Sequence, residues 1–118
     1  MSDMVNHPAH YTHFSIEVID IIDRMNFCAG SAIKYILRAP FKGEYERDLR
    51  KAIWYLRRIQ ELHIETGIEV EEEIALRHVS MEATVENIRQ ALQFIADGNL
   101  SWAIKELEAA IKEEKEND

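Results

Sequence analysis

Hydrophobic residues recur along most of this chain at the spacing of an α-helix. Residues 14–25 carry apolar side chains on one stripe, and residues 28–39 do the same until Pro40 ends the segment. The longer run 44–66 is predicted to be a third helix, with Gly67 as its C-terminal cap. Because strand-like alternation is absent, the pattern predicts an all-α protein.

The second half of the chain continues the helical pattern after an acidic stretch. Residues 68–78 are acidic and only weakly periodic, so they are either a linker or a short helix. Ser80 is a suitable N-cap for a fourth helix over 81–96. The turn at 97–99 leads into a fifth helix, 100–115, and the last two helices are expected to form an αα-hairpin.

Segments of this number and length suit one compact domain of about five helices, in which two parts can be distinguished. Residues 1–66 contain the N-terminal segment and three helices. Residues 67–118 contain the acidic stretch and the hairpin, which either complete the same domain or act as an oligomerisation element. The hairpin resembles one tetratricopeptide-type unit, but no second copy follows, so packing or self-association is the preferred interpretation.

Charge is distributed unevenly along the chain. The net charge is −8, yet residues 34–58 contain eight Lys and Arg against three Asp and Glu. An acidic protein with one local basic stretch suits a small anionic ligand better than a nucleic acid, which needs a broad positive surface. A solvated helix face with ion pairs is the alternative interpretation of the same charges.

The cellular location is indicated by what the sequence lacks. Its first residues are polar, and no apolar stretch approaches the roughly 20 residues of a membrane span. The single cysteine, Cys28, excludes an intrachain disulfide. We therefore expect a cytoplasmic protein that does not associate with membranes.

Trp54 occupies an unusual position in the third predicted helix. On a helical wheel it lies in line with Arg47, Lys51 and Arg58, away from the apolar stripe. A tryptophan among cations can stack on a nucleobase while the cations neutralise phosphate. It can equally be an anchor that packs beneath another helix or subunit.

Three histidines, His7, His10 and His13, recur at every third position near Pro8. Imidazoles bind zinc, but a segment with a proline is not a regular helix, and no cysteine or carboxylate completes a familiar ligand spacing. We therefore expect no metal site. The segment is expected either to contact a base or phosphate with Asn6 and the histidines, or to cap neighbouring helices.

Standard phosphate-binding loops are absent from the sequence. The four glycines are too dispersed for a dinucleotide-binding fingerprint, and Lys42-Gly43 is not followed by the Ser or Thr of a P-loop. If this protein binds phosphates, Lys and Arg side chains must provide the contacts.

Several short motifs together resemble a known family. They are "VNHPAHY" at 5–11, Glu17, "GSAIKYILRA" at 30–39, "KG" at 42–43 and "DLRKAIWYL" at 48–56. In order and spacing they are similar to a phage and prophage family of small proteins, often called SaV-like or of unknown function. Ser31 and Pro40 depart from the asparagine and glycine that are usual in that family.

The family includes a nucleotide kinase without a P-loop. The resemblance therefore implies phosphoryl transfer from a nucleoside triphosphate to a deoxynucleoside monophosphate. ATP with magnesium is a candidate donor, and no cofactor is firmly implied. Two other functions stay open, namely non-catalytic nucleotide binding or sequestration, and an oligomeric interaction or scaffold protein. A homo-oligomer is expected, in the host cytoplasm if the protein is phage-encoded.

The resemblance and the helical wheel together give the expected site. Lys34, Arg38 and Asp48 are the expected catalytic residues. Lys34, Arg38 and Lys42 would hold phosphates, and either Asp48 or Glu17 would orient an acceptor or a metal ion. Tyr35 matches the family's motif without a role of its own. The expected substrate-binding residues are Asn6, His7, His10, Tyr11, Glu17, Lys42, Lys51, Trp54 and Tyr55.

Overall fold

The computed structural model describes residues 13–117, and every regular element in that range is helical. The elements are α1 (Val18–Ile22), α2 (Phe27–Arg38), a 3₁₀ turn (Ala39–Phe41), α3 (Tyr45–Leu62), α4 (Val70–Ser80), α5 (Glu86–Ala96) and α6 (Leu100–Glu116). The expected all-α class is confirmed. The acidic stretch contains α4, so it is a short helix, one of the two predicted alternatives. Among these helices, none is long and apolar enough to cross a membrane.

One hydrophobic core draws buried side chains from all six of these helices. α2 packs along α3, α5 packs along α6 as the predicted hairpin, and α6 also contacts α3. Ile33 of α2, Leu56 of α3 and Leu107 of α6 are each completely buried. Because α2 and α3 bury their apolar stripes in this core, their polar faces lie side by side on the surface.

The first predicted helix, 14–25, is shorter in the structure. Its helical part is only α1, and Asn26 then begins α2 by accepting a hydrogen bond from the Cys28 backbone N–H at 2.8 Å. Asparagine is favoured at an N-cap because its side chain satisfies a backbone donor that has no partner within the helix. Asn26 therefore separates two helices.

The C-terminal end of α3 also differs from the prediction. The helix ends at Leu62, and His63 closes it in the left-handed conformation, with φ 53°. Gly67 has a positive φ of 74°, but it lies in the following loop, where a Cβ atom would come within 2.9 Å of the Asn26 backbone nitrogen. That nitrogen donates a hydrogen bond to the Thr66 carbonyl at 2.8 Å. The predicted cap at Gly67 is wrong, because α3 ends before it and His63 caps the helix. Gly67 instead permits a close approach between the loop and the start of α2.

Ser80, predicted as the N-cap of a helix over 81–96, is instead the last residue of α4. Its hydroxyl donates a hydrogen bond to the Arg77 carbonyl at 2.6 Å. The next helix begins at Glu86, with Val85 as its N-cap. The prediction was wrong because a serine hydroxyl can bond to the turn that precedes it as readily as it can cap a helix that follows.

Candidate functional site

The candidate site is formed by the polar faces of α2 and α3. Lys34 and Arg38 lie one turn apart on α2, which places them on the same side of the helix. Lys51 and Tyr55 are likewise one turn apart on α3. Because α2 and α3 pack side by side, these two pairs meet around the ring of Tyr35.

Three cations surround the Tyr35 ring. The Nζ atoms of Lys34 and Lys51 lie 4.8 Å and 5.0 Å from the ring centroid, and the guanidinium carbon of Arg38 lies 5.6 Å from it. The negative face of an aromatic ring attracts cations at these distances. The ring thus offsets part of the repulsion among three neighbouring positive charges. We call Lys34, Tyr35, Arg38 and Lys51 the cationic cluster.

Asp48 lies at the inner side of this cluster. Its side chain is 1% exposed, and its Oδ2 atom lies 3.4 Å from Arg38 Nε, whereas the Arg38 side chain is 26% exposed. Within the described residues neither of these two buried atoms has a hydrogen-bond partner. Three cations and one carboxylate leave two net positive charges at this point of the surface.

An aromatic row continues from the cationic cluster across α2 and α3. The rings of Tyr35 and Tyr55 are stacked, with centroids 6.1 Å apart and planes 9° from parallel. Tyr55 then contacts Phe27 and Trp54 edge to face, at 5.9 Å and 5.1 Å. Phe27 is 74% exposed and Trp54 is 59% exposed. The surface therefore changes from cationic at Tyr35 to exposed and aromatic at Phe27 and Trp54.

Trp54 and Lys51 also border an open groove of about 720 Å³ between the start of α3 and the end of α6. Glu46 lines this groove, and hydrogen bonds from Arg50 and Lys115 lower the pKa of its carboxyl group. Burial, followed by the charges of Glu114 and Glu113, raises the pKa of Tyr45 above its ordinary value. The remaining lining residues are Gly43, Glu44, Arg47 and Arg50.

The structure brings together some, but not all, of the residues predicted from the sequence. Lys34, Arg38, Asp48, Lys51 and Tyr55 adjoin one another, and Trp54 contacts Tyr55. Lys42 is exposed after the 3₁₀ turn, and Glu17 is half-buried at the start of α1. Predictions about Asn6, His7, His10 and Tyr11 concern residues outside the described range.

Two aromatic residues of this surface received no role from the sequence. Tyr35 is the centre of the cationic cluster, and Phe27 forms one exposed end of the aromatic row. The place of Phe27 on this surface could have been predicted from its spacing. Phe27 precedes Lys34 by seven residues and Arg38 by eleven, and residues at these spacings lie on the same face of a helix. One alternative for Trp54 was that it packs beneath another helix or subunit. Because Trp54 is exposed, packing beneath another helix of the described residues is wrong.

The remaining histidine of the predicted array has a structural contact. His13 stacks on Phe41, with ring centroids 3.7 Å apart and planes 6° from parallel. Residues 13–117 include no group of three or more His, Cys, Asp or Glu that could hold a metal ion.

Part of this chain is similar to a protein family without an assigned function. Residues 5–57, just under half of the chain, match a family model described as a protein of unknown function, DUF3310. No curated protein and no solved structure matches the chain. The matching segment contains the whole cationic cluster and the aromatic row, whereas α4, α5 and α6 lie outside it.

Proposed function

We propose that this protein binds a nucleotide on the joint face of α2 and α3 and transfers a phosphoryl group to a deoxynucleoside monophosphate. The observation that carries the proposal is the Tyr35 ring with three cations around it, continuous with an exposed aromatic row. A nucleotide combines an anionic phosphate with a flat aromatic base. The two ends of this surface match those two parts.

The charge of the cationic cluster suits a phosphate monoester. Its two net positive charges, with Asp48 included, balance a dianion. The guanidinium of Arg38 can form two parallel hydrogen bonds to phosphate oxygens, and the two lysines act as mobile point charges. Phosphoryl transfer depends mainly on positioning and on neutralising the moving group, which these side chains can provide.

The aromatic row suits the base. Phe27 and Trp54 expose ring surface beyond the cations, and stacking of a base on an aromatic side chain contributes about 1–3 kcal/mol. Trp54 follows Lys51 by three residues on α3, so it lies on the same side of the helix as a phosphate contact. One ligand can therefore engage both ends.

In the proposed reaction an oxygen of the acceptor monophosphate attacks the γ-phosphorus of ATP. The bond from that phosphorus to the β–γ bridging oxygen breaks, and ADP leaves with the electron pair. Magnesium would enter with ATP. The reaction type rests on the sequence resemblance of the segments that contain Lys34, Arg38 and Asp48.

Nucleotide binding without turnover is the second candidate function. It is favoured by the burial of Asp48, one of the two carboxylates expected to orient the acceptor, which is only 1% exposed. A nucleotide-binding or sequestering protein needs the same cations and rings, but it needs no carboxylate beside the acceptor.

Product analysis tests the proposal directly. The purified protein is incubated with ATP and each deoxynucleoside monophosphate in turn, with and without magnesium, and the products are separated by ion-exchange chromatography. We expect a deoxynucleoside diphosphate from the wild type and a large loss of it in Lys34→Ala. Lys105→Ala is the matched control, because Lys105 lies 4.6 Å from the Trp102 ring centroid on α6, a similar cation–aromatic pair outside the site.

Binding measured on the same samples separates the remaining functions. Nucleotide binding that Lys34→Ala weakens, without any diphosphate, would select the non-catalytic function. If neither binding nor nucleotide-induced stabilisation is found in the folded wild type, the surface is better explained as a contact of an oligomeric interaction protein. The expected homo-oligomer stays a prediction, and sedimentation of the purified chain tests it.

A further inference from the structure

Asp48 and Arg38 differ sharply in their access to solvent. Asp48 is 1% exposed, and Arg38 covers it with a side chain that is 26% exposed. A ligand that approaches the cationic cluster from solvent therefore meets Arg38 before Asp48. This arrangement does not suit a carboxylate that contacts an acceptor or a metal ion directly.

The contact between the two residues uses the inner nitrogen of the guanidinium. Arg38 Nε lies 3.4 Å from Asp48 Oδ2. The two terminal nitrogens of arginine lie further along the side chain, and together they form the fork that holds phosphate oxygens in parallel. A carboxylate held at Nε thus fixes the direction of the fork without occupying it.

We propose that Asp48 is a positioning residue, which holds Arg38 so that its terminal nitrogens face a phosphate group bound at the Tyr35 cluster. This inference rests on the proposed nucleotide binding and assigns Asp48 a different role from the one implied by the family resemblance. Arg38 is the residue that contacts the phosphate, and Asp48 acts through it.

The long distance between Arg38 Nε and Asp48 Oδ2, 3.4 Å, indicates a role beyond packing. Both Arg38 Nε and Asp48 Oδ2 are buried, and within the described residues neither has a hydrogen-bond partner. A buried polar atom without a partner is costly, and replacing a buried ion pair by apolar residues is often neutral or stabilising. Contacts at binding sites are often long without ligand and shorten in the complex. We therefore expect the Nε–H to form a proper hydrogen bond to Asp48 when phosphate holds the fork.

A double-mutant cycle on nucleotide affinity tests this inference. The four proteins are the wild type, Asp48→Asn, Arg38→Lys and the double variant, each titrated calorimetrically with the four deoxynucleoside monophosphates. Asp48→Asn keeps the size of the side chain, and Arg38→Lys keeps the positive charge but removes the fork. We expect each single change to weaken binding about tenfold, and Asp48→Asn to add less than about twofold in the Arg38→Lys protein, since contacting residues are not additive.

A spectroscopic signal separates positioning from a general effect on stability. In the wild type, nucleotide should produce a protected Arg38 Nε–H resonance in ¹H–¹⁵N spectra, and Asp48→Asn should remove it while the backbone spectrum stays folded. Glu73→Gln is the matched control, because Glu73 pairs with Arg77 at 3.0 Å on α4, and its loss should leave affinity unchanged.

The possible results lead to different conclusions. If Asp48→Asn leaves the affinity unchanged, or weakens binding equally in the Arg38→Lys background, the positioning role is wrong and nucleotide binding stands. If the folded wild type binds none of the four nucleotides, both the positioning role and the proposed function are wrong. The inference is supported if Asp48→Asn weakens binding only in the protein that retains Arg38 and also removes the Arg38 Nε–H resonance.

Discussion

Tyr35 lies at the centre of the positive charges of the site. Lys34, Lys51 and Arg38 all lie within 5.6 Å of its ring centroid, so the attraction of each cation depends on the aromatic face rather than on the phenol hydroxyl. This distinction can be tested with two substitutions at one position.

Tyr35→Phe retains the aromatic face, and Tyr35→Leu removes it. We expect Tyr35→Phe to bind nucleotide nearly as the wild type does. Tyr35→Leu should bind about tenfold more weakly, because each cation–π contact is worth about 0.5–2 kcal/mol. Isothermal titration with a deoxynucleoside monophosphate measures the difference. Equal affinities for Phe and Leu at this position would show that the ring does not organise the cations.

Two glycines with nearly the same positive φ provide a matched test of local strain. Gly67 and Gly43 have φ of 74° and 75°, but only Gly67 faces another backbone, since a Cβ atom added there would lie 2.9 Å from the Asn26 nitrogen. Gly43→Ala should lower the free energy of unfolding by about 1–2 kcal/mol, the cost of left-handed backbone for a residue with a Cβ. Gly67→Ala should cost clearly more, because the loop must also move away from α2. Urea denaturation of both variants checks this order, which equal losses would contradict.

At the scale of helices, Glu46 joins the start of α3 to the end of α6. Its carboxylate accepts a hydrogen bond from Arg50 at 2.7 Å and lies 3.2 Å from Lys115 Nζ. These two partners hold the pKa of Glu46 below its ordinary value of 4.5. A carboxyl whose pKa is lower in the folded state stabilises the fold above its unfolded pKa, and that contribution disappears as pH falls through the folded pKa.

Glu46→Gln tests this tie through its pH dependence. At neutral pH the variant should melt slightly below the wild type, because the carboxylate is ionised and paired. The gap between the two melting temperatures should shrink as the pH is lowered below 4.5, where the wild-type carboxyl becomes protonated. Glu71→Gln, on α4, controls for the loss of one exposed negative charge. A gap that is constant or grows in acid would contradict the ion-pair explanation.

The helices were predictable where the apolar stripe is continuous, and less so elsewhere. The buried apolar side chains of α2 and α3 recur at intervals of three or four residues, which makes the periodicity of these helices clear. α4 was ambiguous because it exposes Val70 and Ile74 beside a row of acids, so its apolar residues do not all mark the core. The helix ends were predicted least well, since Ser80 and Gly67 suit several local structures and tertiary contacts select among them.

The same reasoning explains which part of the site could be predicted. Lys34 and Arg38 share one face by spacing alone, so their proximity follows from the helix itself. The burial of Asp48 could not be predicted in this way, because it depends on how α2 lies over the first turn of α3. Tyr35 was likewise missed as the centre, since its contact with Lys51 joins two helices.

For the whole molecule, the chain is acidic but its charge is segregated. The net charge is −8, whereas the α2–α3 face gathers three cations around one ring. Negative charge elsewhere repels a long polyanion, and a small phosphorylated ligand can reach the local positive site without meeting it. The acidic helices also pack on the same core as the site, through α6 against α3. The site and the acidic half are thus expected to share one folding equilibrium.

The two tryptophans allow that expectation to be tested, because one reports on each half. Trp54 lies on α3 beside the site, and Trp102 lies on α6, and these are the only tryptophans in the chain. Trp102→Phe leaves the first as the fluorescent reporter, and Trp54→Phe leaves the second. Since Leu56 and Leu107 belong to one buried core, loss of either half should expose the apolar face of the other.

We therefore expect fluorescence of both single-tryptophan variants to follow the same urea transition as their own helical circular dichroism. Any shift caused by a substitution itself would move both probes of that variant together, which makes each protein its own control. If Trp102 fluorescence changed at a lower urea concentration than helicity in the Trp54→Phe variant, the C-terminal hairpin would unfold separately. The packing of α6 against α3 would then be a docking contact between two units. Residues 67–118 would be a better candidate for an oligomerisation element than for part of the same domain as the proposed nucleotide site.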